Sequence, residues 1–115
     1  MSLGAARLPK ANYSTVGFTV EAENTDEVLI EAREGERIGV AYVIAYNGNA
    51  TDEDEITLKY GDVDNSPTTI GVYEISAEET DVIIDSPLLG LPIEGDLIVE
   101  SESDEVVISA WGVKA

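Results

Sequence analysis

Apolar side chains in this chain recur at every second position, and almost nowhere at the 3.6-residue spacing of a helix. Val16, Phe18, Val20 and Ala22 alternate with Gly17, Thr19 and Glu21, which predicts a half-buried strand. Val28, Ile30 and Ala32 repeat the pattern against Glu27 and Glu31. Residues 38–46, "IGVAYVIAY", are apolar on both faces. Strict alternation places Ile38, Val40, Tyr42, Ile44 and Tyr46 on one face, and Gly39, Ala41, Val43 and Ala45 on the other, as in a central strand. Asn47-Gly48 follows, a strong hairpin signal, with Ile56, Leu58 and Tyr60 as the return strand. Further alternating runs lie at Ile70–Ile75, Val82–Ile84, Leu97–Val99 and Val106–Ala110.

Between two of these runs, "DSPLLGLPIEGD" has the prolines and glycines of an irregular loop. Its Leu88, Leu89, Leu91 and Ile93 predict that it folds back over an open end of the core. "SAEETD" at 76–81 makes one helical turn at most. The expectation is an all-β protein: a single β-sandwich of about eight strands, jelly-roll-like if the order is Greek key. It would occupy residues 13–115, behind an N-terminal arm of residues 1–12.

Charge narrows the partners. Twenty-four acids against six bases give a formal net charge of −18, spread over every segment past residue 20. Such a field repels nucleic acid and anionic lipid, and repels itself unless salt screens it. The dispersal suits a protein made for high salt. The first twenty residues invert the sign, with Arg7 and Lys10 as their only charges, and suit docking on an acidic neighbour. No run approaches the ~18 apolar residues of a membrane span. The first residues also lack the apolar centre of a signal peptide.

Little in the chain points to catalysis. Without histidine or cysteine there is no imidazole base, no thiolate and no common serine triad. Lys59 alternates onto a polar face, away from any serine–lysine pairing. A glycosidase pair needs two acids flanking a cleft, and no acid lies within an apolar stretch. The expectation is a protein that is not an enzyme and needs no cofactor.

Calcium is the one candidate ion, because it takes carboxylate oxygens. Asp52 and Asp54 lie in one loop and Asp62 and Asp64 in the next, and they could converge if both loops share one end of the sandwich. However, Pro67 and Tyr73 stand where an EF-hand loop beginning at Asp62 needs glycine and glutamate. Asn12 and Asn49 head acceptor sequons for N-glycosylation, Asn49 on a predicted loop tip. The apolar surplus on 38–46, with Tyr73 and Trp111, exceeds what one sandwich face requires. It predicts a subunit interface through Val43, Tyr73 and Trp111.

Three pieces carry a family resemblance: "VLIEAREGERIGVAYVIAYNGN", "DEITLKYGD" and "DSPLLGLPIEGDLIVESESDEVVISAWGVKA". The resemblance they carry spans residues 28–113. Their turn and glycine layout resembles small β-sandwich proteins on the virions of tailed phages and related archaeal viruses. Arg33-Glu34-Gly35 stands where that family usually has Pro-Ala-Gly. The resemblance implies a virion structural part on the capsid surface: a decoration subunit first, a head turret, fibre or tail component second. It also implies a homo-oligomer, trimeric or pentameric, bound to a major capsid protein. The acidic surface would suit a haloarchaeal virus. The residues themselves leave two other readings open, a carbohydrate-binding module and a calcium-stabilised surface module.

Overall fold

A computed structural model describes residues 13–86 and 90–114, which hold nine strands in two antiparallel sheets. The strands are β1 (Ser14–Thr19), β2 (Glu27–Ile30), β3 (Arg37–Asn47), β4 (Asp54–Gly61), β5 (Thr68–Ile75), β6 (Thr80–Asp85), β7 (Leu91–Glu94), β8 (Asp96–Ser101) and β9 (Val106–Lys114). One sheet has the order β1-β9-β3-β6, with β7 also paired to β3, and the other has β2-β8-β4-β5. The pairs nest: β1 with β9, β2 with β8, β3 with β6 and β7, β4 with β5. This is one long hairpin rolled up, the double Greek key of a jelly roll.

The extra strand lies inside the segment expected to be an irregular loop. Residues 91–94 pair with residues 40–37 of β3, beside the stretch of β3 that pairs with β6. The eleven residues of β3 are long enough to hold both partners end to end. Leu88 and Leu89 lie outside the described residues. Gly95 alone separates β7 from β8, and there the chain passes from one sheet to the other.

The core lies between the sheets. Ile38, Val40, Val43 and Ala45 of β3 face Ile56 and Leu58 of β4 and Leu97 and Val99 of β8 across a fully buried interior. On β9 the alternation holds: Val106, Ile108 and Ala110 are buried, while Val107, Ser109 and Trp111 are half-exposed. On β3 it does not. The register with β9 slips between Val40 and Tyr42, which is a β-bulge at Ala41. Before the bulge Ile38 and Val40 point inward, and after it Val43, Ala45 and Asn47 do. The two halves of the strand therefore turn opposite parities to the core.

The hairpin expected at Asn47-Gly48 does not form, because β3 and β4 belong to different sheets. A type I′ turn needs positive φ at both central residues, and neither Asn47 nor Gly48 has it. Asn47 is instead buried as the last residue of β3. Its Nδ2 donates to the carbonyls of Asp52 and Ile75, both at 2.9 Å, and its Oδ1 accepts the amide of Asn49 at 2.8 Å. One side chain thus ties together an arch that crosses between the sheets.

Candidate functional site

The bulge at Ala41 creates the most distinctive surface of the molecule. It turns Tyr42, Ile44 and Tyr46 outward, opposite Trp111, Ser109 and Val107 of β9. The Tyr42 and Trp111 rings stand 5.8 Å apart and tilted, within the range of favourable aromatic pairs. On the other side of β3, Val82 of β6 opposes Ile44 and is 51% exposed, while Tyr46 is 40% exposed. Among the paired outward residues of 42–46, 107–111 and 80–85, only Asp85, at one corner, carries a charge. In a chain with 24 acids this is an uncharged, aromatic window on an acidic body.

The outer face of the second sheet has the opposite character. There Lys59 of β4 donates to Asp26 at 2.8 Å and pairs with Glu100 of β8 at 2.9 Å. Its side chain is only 17% exposed, and in the register it lies beside Ile98, which is fully buried outside the main core. The ammonium caps two acids while its stem can cover apolar surface. Hydrogen bonds donated to Asp26 first, then to Glu100, raise the Lys59 pKa against the opposing effect of desolvation. The exposed Arg37–Glu94 pair, at 3.6 Å, contributes little by comparison.

This arrangement has a definite pH signature. A lysine whose folded pKa exceeds its unfolded one, about 10.4, stabilises fully below that value. The stabilisation disappears as pH rises through the folded pKa. Lys59→Met should therefore cost about 1–3 kcal/mol at neutral pH, by leaving Asp26 and Glu100 facing each other unpaired. The gap between wild type and variant should begin to narrow above about pH 10.4 and close in melting curves as pH rises through the higher folded pKa. A gap that stays constant into strong alkali would show that the ammonium is not what stabilises.

The sequence-predicted site residues divide. Trp111 lies on the uncharged face. Val43 does not: it is 0% exposed, because the bulge shifts it to the inward parity, and it belongs to the core instead of an interface. Tyr73, opposite the inward-facing Ile56, packs against the core from β5.

The two acid loops do not converge. Asp52 and Asp54 flank the start of β4, and Asp62 and Asp64 follow its end, so a strand of eight residues, about 26 Å, separates them. Asp54 is buried and accepts the Ser103 hydroxyl at 2.6 Å, while Asp62 Oδ1 accepts the Asp64 amide. Among the described residues no group of three or more acids is placed to hold a metal ion. Asn49 Oδ1 accepts the amides of Thr51 and Asp52, both at 3.0 Å, in the arch between the sheets. Arg7, Lys10 and Asn12 lie outside the described residues.

Alternation alone could not find the outward Tyr42–Ile44–Tyr46 row, since the bulge at Ala41 has no glycine or proline to announce it. Lys59 did carry a signal, as the only lysine between positions 10 and 114. A surface depression of about 540 Å³ mixes Arg33 and Arg37 with Glu34, Glu36, Asp62 and Glu94 along an open rim. In comparisons with known proteins, no family model, no characterised protein and no solved structure matches the chain.

Proposed function

We propose that this protein is a non-enzymatic structural subunit of a virus particle, an oligomeric decoration protein on the surface of a salt-adapted capsid. The observation that carries the reading is the uncharged aromatic face on a body of net charge −18. A solvated acidic protein gains nothing by exposing Tyr46 and Val82 beside Trp111, whereas a subunit gains the burial of that face. The glycine and turn motifs of residues 28–113 point to virion sandwich proteins, and jelly rolls recur in viral capsids and in lectins, an analogy of fold only. In this reading the acidic sheet with Lys59 faces brine. A trimer is the preferred assembly, and residues 1–12, through Arg7 and Lys10, engage the major capsid protein.

The test is sizing in high salt. The protein should elute as an oligomer at ~2 M salt, where self-repulsion is screened. Trp111→Glu should release folded monomers with unchanged circular dichroism. A wild-type chain that stays monomeric there would remove the assembly reading. Turret, fibre or tail positions differ only in the neighbour, which the genes flanking the reading frame would identify.

A second reading draws on the same residues. Tyr42, Tyr46 and Trp111 form an aromatic row on a sheet face, a surface on which sugar rings can stack. Binding on a glycan array that Trp111→Ala abolishes, by a protein that stays monomeric, would favour a carbohydrate-binding module.

A further inference from the structure

Asp85 is the one charge among the paired residues of the uncharged face, and its place in the sheet has a meaning. Ser14 pairs with Trp111, Trp111 with Tyr42, and Tyr42 with Asp85. The four residues therefore stand in one row across β1, β9, β3 and β6, with two aromatic rings between Ser14 and the carboxylate. Asp85 is exposed, and among the described residues its carboxylate has no ion pair or hydrogen bond. The row starts where the chain enters the sheet: the Tyr13 carbonyl accepts the Gly112 amide at 2.6 Å, and Ser14 opens β1. Just before that point the sequence holds Arg7 and Lys10, the only charges of the first twenty residues, with Leu8, Pro9 and Ala11 around Lys10.

We propose that residues 1–12 form a strap across this row in the unassembled subunit, lying over Trp111 and Tyr42 with Lys10 paired to Asp85, and that burial of the face between copies displaces it. Length, charge and connectivity select this occupant. Lys10 stands four residues before Ser14, an extended reach of about 13 Å. Asp85 lies three strand spacings from Ser14, about 14 Å, and the lysine side chain spans the rest. Leu8, Pro9 and Ala11 bring no charge onto the rings they would cross. The short tether holds the strap at an effective concentration on the order of millimolar, which a second copy in dilute solution does not match. A single exposed ion pair is weak, so a larger apolar contact can replace it. In this arrangement the strap covers the aromatic pair before assembly, and Arg7 and Lys10 reach an acidic neighbour only after copies have taken its place. Docking on the capsid thus follows assembly. The proposal rests on the reading of this chain as a self-assembling subunit and describes that subunit's guarded state.

Trp111 is the only tryptophan, so its fluorescence reports the cover directly. Acrylamide quenching is measured on the full chain at low salt, where the subunits repel one another. Lys10→Glu and Asp85→Lys should each raise the quenching about twofold, and the two together should restore the wild-type value. Equal quenching in all four proteins, or a double variant that stays as exposed as the singles, overturns the strap. A second measurement tests the guarding. The chain has no cysteine of its own, so Lys10→Cys with Asp85→Cys gives a single disulfide under mild oxidation. It should close within one chain, with a yield on the order of tenfold above Lys10→Cys with Val72→Cys, an exposed site on the other sheet. The closed form should remain monomeric at ~2 M salt, and reduction should release it to assemble. A closed form that assembles like wild type, or a disulfide formed between chains, overturns the guarding while self-assembly stands. If the charge swap behaves as expected but the wild type stays monomeric at ~2 M salt, the strap stands and the assembly reading falls.

Discussion

Asn47→Ala is expected to lower stability by about 3 kcal/mol, or roughly 10–20 °C in melting temperature. The side chain is fully buried and makes three hydrogen bonds, to the carbonyls of Asp52 and Ile75 and to the amide of Asn49. Alanine removes all three and leaves the buried Ile75 carbonyl without that donor, and an unmet buried group costs about 1–3 kcal/mol. Asn47→Asp separates the contributions. A carboxylate still accepts from Asn49, but it sets negative charge against two carbonyl oxygens, so it should be at least as damaging as alanine. Thermal melts of the two variants provide the measurement. A loss below about 1 kcal/mol for alanine would mean that the arch holds by its backbone alone.

Gly95→Ala should be equally severe, for a steric reason. At φ +94° an L-residue is strained, and the added Cβ would lie 2.7 Å from the Gly61 carbonyl oxygen and 2.9 Å from its Cα. Both neighbours are backbone, so nothing can rotate aside. The main chain must shift where β7 passes into β8, at a cost of about 3–5 kcal/mol. Gly35→Ala is the control. Its φ is +78°, yet nothing lies within 4 Å of the added carbon, so it reports conformational strain alone, about 1–2 kcal/mol. Equal losses at the two positions would show that the contact between Gly95 and Gly61 relaxes freely.

Both predictions concern places where local pattern was a poor guide. Alternation sufficed for the class of fold, because β4 and β9 keep one buried parity, with Ile56 and Leu58 of β4 and Val106, Ile108 and Ala110 of β9 inward. The nested pairing was not legible, since it depends on partners far apart in sequence. At Ala41 one extra residue reverses the parity of β3, which puts Val43 in the core and Tyr42 on the surface. Asn47-Gly48 misled for a related reason. The dipeptide permits a tight turn, but here the asparagine amide satisfies carbonyls from two other segments, and the chain crosses between the sheets instead. Acid clustering misled through geometry: Asp52 and Asp64 are near in sequence, yet β4 runs between their loops. Of the uncharged face, the β9 side was legible from the sequence, because Val107, Ser109 and Trp111 alternate with Val106, Ile108 and Ala110.

The rolled hairpin has a consequence for how the chain is made. Among the described residues β4 and β5 are the only consecutive strands paired with each other, and they lie at the middle of the strand order. Every other pairing waits for a later segment, and Ser14 at the start of β1 meets Trp111 in the last strand. On the ribosome β1 has no strand partner until β9 has emerged. Its sheet therefore closes only after β9 has emerged, and folding should take milliseconds to seconds, as expected for non-local β topologies.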